Sequence, residues 1–486
     1  MISLPSDNGK KISVKDVDGL KNAIEKAKDD WKDTGGHIII EENLSLSQES
    51  DPLEFGGLEF SKPFVIRANN VGERTISGRT KQVVFNNGRN VWLYGINFRH
   101  HASEDQTVVF RNCKNCVIAG CDFQTTSSNK RKDEDENNME FPWFSYLAIS
   151  GGDCNCVAYN NFHDKAPSRG HFLWVSGGGG PKRTIVEYNY FKKHPGINNS
   201  KGKKDKGEAI KMGDSAFGTK AFGSIVRYNL FEECEGDAEV ITNKSSSNIY
   251  HHNTFRGNIG SLVLRHGNYS IVRDNVFLGR YNGIRVYGKQ LVKSNSFRST
   301  GKLDRSLLGP LIIGYGKEKE EKNEASYVKV KGSRFEKNVF LVEASDNDEE
   351  NTVIAWGRKG SGSGWDEMPE DNKFVGNVII AKSGTMLKFA DEDAKKDGNE
   401  FRENMLYNDG SAKYGGILNP NDTSDQCRPP GEKPQITQPT ILKDTDVGPK
   451  STRSDQPHCS REELNEVIDF SEAPQKEELE SLSKCS

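Results

Sequence analysis

The chain has 486 residues, with 67 lysines and arginines against 70 aspartates and glutamates, so its formal net charge is -3. This balance argues against a dedicated nucleic-acid-binding protein, and no stretch approaches the roughly 18 apolar residues that a transmembrane helix needs. Length alone predicts about three domains. Hydrophobic residues make up only 34% of the chain, however. The composition therefore indicates either extensive disorder or a fold with a thin core.

The first residues and the cysteines leave the cellular compartment open. The start, MISLPSDNGKK, has no apolar stretch typical of a signal peptide, so the protein is either cytosolic or its signal has been removed. Cysteines in the polar tail are typical of disulfide partners in secreted proteins: Cys427, Cys459 and Cys485. The other group is interpreted as small buried core residues, with a zinc site as the alternative: Cys113, Cys116, Cys121, Cys154 and Cys156.

One helix is predicted near the start of the chain. Ser13 and Asp16 fit a capping box, while Gly35 and Gly36 fit a helix stop. Between them, apolar residues recur at helical spacing: Val17, Leu20, Ala23, Ile24, Ala27 and Trp31. A first strand is predicted at residues 37–40 (HIII).

A different pattern repeats after this helix. An asparagine or a similar polar residue is followed closely by an aromatic or aliphatic residue, as in Tyr228-Asn229-Leu230-Phe231. The other segments of this kind end at Phe98, Phe123, Phe162, Phe191, Phe255, Phe277, Phe297, Phe340, Ile379 and Leu406. Short strands broken by glycine and asparagine at such a period are typical of a β-solenoid.

A solenoid also accounts for the composition. Its stacked coils share a narrow apolar core, and asparagines at the bends can bond to their own backbone and to each other in ladders. The alternative, a pair of β-sandwiches, would not keep the asparagine–phenylalanine register. We therefore predict an all-β chain with a cap and its helix at residues 1–36, a solenoid at 37–416 and a polar tail at 417–486. A short helix after Ser460 is expected in the tail.

Charged residues gather in consecutive coils in the middle of the chain. Alternate residues of a strand share a face, so Asp237 and Glu239 are expected to point the same way and to repel unless a cation neutralises them. Asp205, one coil earlier, is a candidate third oxygen ligand for Ca²⁺. Cationic candidates follow closely: Lys244, Arg265, His266 and Arg285. A groove with these charges suits an acidic polymer, and the alternative is a surface salt-bridge ladder of little energetic value.

Two of these segments resemble the active-site motifs of polysaccharide lyase family 6, which contains alginate lyases and a chondroitinase B type. They are residues 237–245 (DAEVITNKS) and 264–268 (LRHGN). Residues 76–78, 207–213, 283–288 and the Met368-Pro369 pair are similar as well. The resemblance runs from about Val17 to Leu406. It implies a single-stranded right-handed parallel β-helix and cleavage of a uronic-acid polymer by β-elimination.

The resemblance also implies roles for single residues. Lys244 matches the base that removes the C5 proton of a uronate, and Arg265 matches the acid or the group that assists departure of the C4 oxygen. Ca²⁺ held by Asp205, Asp237 and Glu239 would bind the uronate carboxylate. Further substrate contacts are expected at His266, Arg285, Lys211 and Lys165.

The chain departs from the family pattern at the expected calcium ligands. Asp237-Ala238-Glu239 stands where the family usually has Glu-x-Glu, and Asp205 stands where it usually has asparagine. Both changes keep oxygen ligands but alter their reach and charge, so a calcium-independent member remains an alternative.

The predicted function is that of a polysaccharide lyase that cleaves a uronic-acid polymer, with alginate as the favoured substrate, an anionic polysaccharide as partner and no nucleic acid or membrane. The protein is expected to be secreted or periplasmic and to be a monomer or homodimer. Dermatan sulfate or pectate cleavage on the same fold is one alternative. A non-catalytic solenoid that binds glycan is the other, although pure binding does not require a base opposite an acid.

Overall fold

The computed structural model describes most of the chain before residue 416 and parts of the tail. The described residues are 4–46, 52–78, 81–102, 105–128, 143–195, 197–198, 204–205, 207–279, 283–299, 310–317, 327–343, 352–358, 367–390, 398–415, 427–428, 435–436 and 438–449. Within them the chain winds as a parallel β-helix, in which each full coil contributes one strand to each of three long parallel sheets. The predicted all-β solenoid is therefore confirmed.

The three sheets contain 14, 13 and 14 strands, numbered here along the chain. The first sheet contains β1 (Lys11–Val14), β2 (Gly36–Ile40), β5 (Glu59–Ala68), β8 (Arg89–Tyr94), β11 (Val117–Ala119), β14 (Cys156–Ala158), β17 (Ile185–Glu187), β22 (Ile225–Arg227), β25 (Ile249–His251), β28 (Ile271–Arg273), β31 (Leu291–Lys293), β34 (Arg334–Glu336), β37 (Lys373–Val375) and β40 (Glu400–Arg402). The second contains β4 (Leu53–Gly56), β7 (Val83–Asn86), β10 (Asp105–Arg111), β13 (Phe144–Ser150), β16 (Leu173–Ser176), β21 (Ile210–Met212), β24 (Glu239–Lys244), β27 (Ser261–His266), β30 (Ile284–Val286), β33 (Leu311–Gly314), β36 (Thr352–Arg358), β39 (Thr385–Phe389) and β42 (Lys413–Gly415). The third contains β3 (Leu44–Ser45), β6 (Arg74–Gly78), β9 (Ile96–Ala102), β12 (Asp122–Ser128), β15 (Asn161–His163), β18 (Tyr190–Lys192), β23 (Leu230–Glu232), β26 (Thr254–Arg256), β29 (Val276–Leu278), β32 (Ser296–Ser299), β35 (Val339–Val342), β38 (Val378–Ala381), β41 (Asn404–Asn408) and β43 (Cys427–Arg428). A small antiparallel pair, β19 (Ile197–Asn198) and β20 (Lys204–Asp205), projects from one coil.

The predicted helix is α1 (Val17–Asp30), and it packs against the first coil. Its apolar face joins the core of the solenoid, so it closes the open end of the stack as expected. Asp16 alone is the N-cap, with its carboxylate accepting the Gly19 N–H at 2.6 Å. The capping box that paired Ser13 with Asp16 is wrong, because Ser13 lies in β1, which pairs with β2.

Asparagines form a continuous ladder at the bend that precedes the third sheet. From Asn160 to Asn404, each ladder asparagine donates its side-chain N–H to the amide oxygen of the asparagine one coil later, at 3.0 Å in every step. The members are Asn160, Asn189, Asn229, Asn253, Asn275, Asn295, Asn338, Asn377 and Asn404. This confirms the predicted use of asparagine at the bends.

The phenylalanines of the repeat stack inside the core. From Phe98 to Phe340 the rings lie nearly parallel, with centroids 4.6 to 5.0 Å apart along the stack. The spacing matches the distance between neighbouring strands of a sheet, about 4.8 Å. Identical residues recurring once per coil thus form a narrow core, which explains the low apolar fraction.

The cysteines and the tail complete the fold. Cys113, Cys116 and Cys121 are free buried thiols, while Cys154 and Cys156 are disulfide-bonded, so the described cysteines do not form the alternative zinc site.

In the tail, residues 438–449 bring the side chains of Leu442 and Val447 against the outer surface at Leu230. The predicted tail helix and most of the charge-rich insertions lie outside the described residues. None of the helices within those residues is long and apolar enough to cross a membrane.

Candidate active site

The predicted site lies on the outer side of the second sheet, where the regular register of the coils is interrupted. Strands β24 and β27 pair with two shifts, one between Glu239 and Ile241 and one between Asn243 and Lys244. The second shift pairs Lys244 with His266 and leaves Arg265 as the extra residue. Bulges of this kind redirect side chains and are frequent beside active sites.

Lys244 is half-buried at the end of β24, among other cations. Burial, together with the charges of Arg265 and Lys211, lowers the pKa of Lys244, and the carboxylates of Glu208 and Glu239 oppose this shift only in part. A lowered pKa increases the fraction of neutral amine near neutral pH. The surroundings therefore suit Lys244 to accept a proton.

Glu239 is buried and is held by two guanidinium groups. Arg285 pairs with Glu239 Oε1 and is itself almost fully buried, and Arg265 Nη1 lies 3.5 Å from the same oxygen. Charged hydrogen bonds of this kind compensate for part of the cost of burying a carboxylate. The negative charge of Glu239 is thus already neutralised by the protein.

A second buried carboxylate, Glu208, lies one coil before Glu239. The Thr242 hydroxyl is 3.1 Å from Glu208 Oε1 and also within hydrogen-bond distance of Glu239 Oε2, and its single proton can serve only one at a time. His171 Nδ1 lies 3.0 Å from Glu208 Oε2. Burial alone would raise the pKa of Glu208, but His171 and Lys211 outweigh it and hold the carboxyl ionised.

Arg265 lies against an aromatic ring that comes from a later coil. Its guanidinium carbon is 5.1 Å from the ring centroid of Tyr327, and the His266 ring lies 5.3 Å from the same tyrosine. Burial opposes the charge of Arg265, but Glu239 and other nearby groups raise its pKa above the ordinary value. Arg265 therefore stays a cation, and it is suited to donating hydrogen bonds rather than to releasing a proton.

Lys211 stands on the other side of Lys244, in β21. Its ammonium lies 2.6 Å from Asp214 Oδ1 and 5.9 Å from the ring centroid of Trp174. The Ser176 hydroxyl holds the second oxygen of Asp214. Because Asp214 is fixed from both sides, Lys211 is kept near Lys244 and contributes to its lowered pKa.

Lys165 differs from the other predicted substrate contacts. Its side chain is deeply buried, and the residue is only 3% exposed. The ammonium donates hydrogen bonds to the Ser168 hydroxyl and, at 3.3 Å, to the Arg169 carbonyl. It also lies 4.0 Å from the centroid of the Phe144 ring. Burial lowers its pKa well below the ordinary lysine value. A direct substrate contact at Lys165 stays a prediction, and this geometry does not support it.

The described residues do not fit the predicted calcium ion as they are arranged. They contain no cluster of three His, Cys, Asp or Glu side chains that could hold a metal. Asp237 is half-buried near Arg265, Glu239 is paired with arginines, and only the backbone of Asp205 is described, in β20. We therefore derive no chemical step through a metal.

Several residues that shape the site are not indicated by the sequence alone. Tyr327 follows a charge-rich segment without periodic signal, and His171 lies in a region with no recognisable motif. Glu208 and Thr242 lie within segments that resemble the family, but the resemblance predicts no role for them. Glu208 lies two residues before Ile210, just as Glu239 lies two residues before Ile241, and these two isoleucines pair across neighbouring coils.

Comparison with known proteins agrees with this fold. The sequence profile of the family described as Chondroitinase B matches residues 14–418. No curated protein matches the chain.

Similar solved structures include the polysaccharide lyase family 6 alginate lyase AlyGC, with a TM-score of 0.70, 21% identity and 92% of this chain covered. The chain spans 59% of the AlyGC chain. A mannuronic acid-specific family 6 lyase from human gut microbiota has a TM-score of 0.66 at 19% identity, with 98% of each chain covered. A family 6 alginate lyase in complex with a trisaccharide has a TM-score of 0.67 at 19% identity, covering 92% of this chain and 96% of that chain. At these identities the likeness shows the fold.

Proposed function

The chain belongs to polysaccharide lyase family 6, and from that premise we propose that it cleaves a uronic-acid polymer, with alginate as the favoured candidate, by β-elimination. Lys244 acts as the base and Arg265 assists the departing oxygen. The product carries an unsaturated uronate at its new end. Several similar structures are described as alginate lyases, which favours alginate among the possible polymers.

One observation carries this proposal: the register shift at the end of β24 places Lys244 beside Arg265 of the neighbouring strand, whose guanidinium lies 3.5 Å from Glu239 Oε1. Burial and nearby cations lower the pKa of Lys244, whereas Glu239 and its neighbours raise the pKa of Arg265 against the effect of burial. A base must be neutral before it reacts, and a group that stabilises negative charge must remain charged. The two shifts support these two roles.

The proposed elimination begins at C5 of the uronate and is balanced in atoms and charge. The neutral amine of Lys244 takes the proton from C5 of the uronate, and the released electron pair forms the double bond between C4 and C5. The bond between C4 and the glycosidic oxygen breaks. A water molecule bonded to Arg265 gives this oxygen a proton, and the remaining hydroxide takes the proton from Lys244. Arg265 thus need not give up a proton, which its high pKa would make costly.

Negative charge develops on the uronate carboxylate when the C5 proton leaves. Fixed cations at that position lower the barrier because they do not have to reorganise during the reaction. Arg265 lies beside Lys244 and supplies such charge, while Arg285 shares Glu239 with Arg265 and His266 pairs with Lys244 across the two strands. Contacts of these side chains with substrate are part of the proposal.

Calcium remains a prediction that follows from the family resemblance. Its ligands would be Asp205, Asp237 and Glu239, and no step of the proposed elimination depends on it. In the described arrangement the pairing of Arg285 with Glu239 competes with such a site.

The test is direct incubation with alginate, dermatan sulfate and pectate in parallel, following the ultraviolet absorbance of the unsaturated product. We expect a signal with alginate. A signal only with dermatan sulfate or pectate would move the proposal to that polymer. Binding without absorbance on any of the three would favour the alternative, a solenoid that binds glycan without cleaving it.

The place of action is also part of the proposal. A polymer of this kind does not cross a membrane unaided, so we place the protein outside the cytoplasm or in the periplasm. Its oligomeric state, a monomer or a homodimer, can be measured by light scattering of the purified protein.

A further inference from the structure

The outward side chains of the second sheet form a row with one residue per coil. Strand pairing places the following residues side by side: Val84, Val109, Ala148, Trp174, Lys211, Thr242, Val263, Arg285 and Ile312. Neighbouring coils are about 4.8 Å apart. Trp174 therefore lies about 10 Å from Thr242, the row residue that contacts both buried carboxylates.

This row reaches solvent at only one place. From Val84 to Ile312 its members are buried, except Trp174 and Lys211, which are half-buried. On one side of the opening, outward apolar side chains pack behind the Trp174 indole. On the other side lies the cluster around Glu239 and Lys244. A polymer that leaves the cluster towards the N-terminal coils would pass over these two residues.

The groups exposed at the opening, the Trp174 indole and the Lys211 ammonium, are typical of a sugar-binding surface. Nε1 of Trp174 is buried and has no hydrogen-bond partner among the described residues, so the part of the indole that reaches solvent is hydrocarbon. The Lys211 ammonium is 5.9 Å from the ring centroid and uses one donor on Asp214, which leaves other donors for a ligand. A flat apolar face beside a fixed cation complements a ring that carries a carboxylate.

A second indole lies on the same side of the site. Trp143, in the coil before Trp174, is 41% exposed and has its ring 5.7 Å from that of His171. Row positions beyond Arg285 have no aromatic side chain, since they are Ile312, Ala355 and Lys388. Among the described row positions, an aromatic side chain thus occurs only on the N-terminal side of the cluster, whereas Tyr327 lies beside Arg265 in the cluster itself.

We propose that Trp174 and Lys211 form a subsite that binds a uronic acid residue of the polymer on the N-terminal side of Lys244. The sugar ring packs against the indole, and its carboxylate pairs with the Lys211 ammonium. This inference rests on the proposed function, because it assumes that a uronic-acid polymer lies along the row.

The subsite is tested by direct binding, separately from turnover. In the Lys244→Ala background, the affinity of alginate di-, tetra- and hexasaccharides is measured by calorimetry for Trp174, Trp174→Phe and Trp174→Leu. Phenylalanine keeps a flat ring, whereas leucine keeps apolar packing without one. We expect Trp174→Leu to weaken hexasaccharide binding by about tenfold or more, as when an aromatic anchor is truncated, and Trp174→Phe to retain most of it. The disaccharide is too short to contact both Trp174 and the cluster around Lys244, so its affinity should change little.

The matched control is Trp92→Leu, a half-buried tryptophan of the first sheet. It should leave hexasaccharide binding unchanged. Equal hexasaccharide affinity in Trp174 and Trp174→Leu would overturn the subsite, even if the unsubstituted chain cleaves alginate. Trp174-dependent binding by a chain that cleaves no uronate polymer would instead retain the subsite and reject the lyase function.

Discussion

The same central coils contain two regions that differ sharply in regularity. The ladder edge is the third sheet with the asparagine bend before it, and the site edge is the second sheet around Lys244. At the ladder edge, β23, β26 and β29 pair residue for residue, and Asn229, Asn253 and Asn275 repeat one hydrogen-bond pattern. At the site edge, β24 and β27 pair with two register shifts. Both edges belong to the same coils, so the fold itself does not require the irregularity.

The difference has a physical reason. A ladder works because each asparagine meets an identical neighbour, and each hydrogen bond therefore has the same geometry as the one before. A catalytic surface needs unlike groups close together, and a strict repeat would place like charges beside each other at unfavourable cost. The bulges at the site edge bring Lys244, Arg265 and Glu239 into one cluster without changing the core. We expect substitutions at the two edges to separate activity from stability.

The largest effect is expected at the site edge. Replacing the proposed base, Lys244→Ala, should reduce kcat on alginate by about 10³-fold, within the range of general base catalysis. Because Lys244 is half-buried and outside the apolar core, the thermal midpoint should change little. The control is Lys220→Ala, an exposed lysine of the preceding coil. Full activity in Lys244→Ala would reject the mechanism.

The ladder edge should show the opposite behaviour. Asn253→Ala removes an amide that accepts from Asn229 and donates to Val226 and Asn275, all within the buried core. Unsatisfied buried groups should lower the free energy of unfolding by about 1–3 kcal/mol, measured by chemical denaturation. Activity per folded molecule should be retained.

Asn161→Ala is the control for the ladder variant, since this half-buried asparagine bonds Asp122 outside the ladder. It should cost less stability than Asn253→Ala. If both variants lost the same free energy of unfolding, the hydrogen bonds of the ladder would contribute no more to stability than an isolated asparagine hydrogen bond.

The regular edge could be predicted from the sequence, because its signal recurs in every coil. The asparagine and phenylalanine positions specify both the bend and the stack, and the helix before them follows ordinary spacing. The choice of N-cap could not be predicted, because it depends on β1 pairing with β2, which leaves Asp16 rather than Ser13 at the helix start.

The site edge could be predicted only in part. The residue types at Lys244, Arg265 and Glu239 were identified, since they occur in recognisable segments. Their arrangement was not, because the register shifts have no sequence signal of their own, and Tyr327 comes from a distant coil. Arg285 illustrates the limit: its pairing with Glu239 has no sequence signal, and its contact with substrate stays a prediction.

A smaller effect should appear in the pH dependence of the site edge. A base acts when deprotonated, so kcat should rise with pH through the pKa of Lys244, which lies below the ordinary lysine value. Lys211 contributes to that lowering, so Lys211→Ala should raise the pKa of Lys244 and move the rising limb to higher pH by up to about one unit. A full kcat profile, with Lys220→Ala as control, measures this. If the rising limb of the kcat profile stays at the same pH in Lys211→Ala, then burial and Arg265 account for the lowered pKa of Lys244.

The smallest effect is expected from metal removal. Glu239, the predicted calcium ligand, is already neutralised by Arg285 and Arg265, so a cation would have to displace charged hydrogen bonds to bind there. Dialysis against a chelator should therefore change kcat by less than about twofold, because the site's own guanidinium groups supply the positive charge that the reaction needs. If activity instead falls steeply and returns with Ca²⁺ but not Mg²⁺, then Asp205 and Asp237 must complete a site with Glu239. In that case Arg285→Ala should strengthen calcium binding, because it removes the competing cation, and the irregular edge would have a metal rather than an ion pair at its centre.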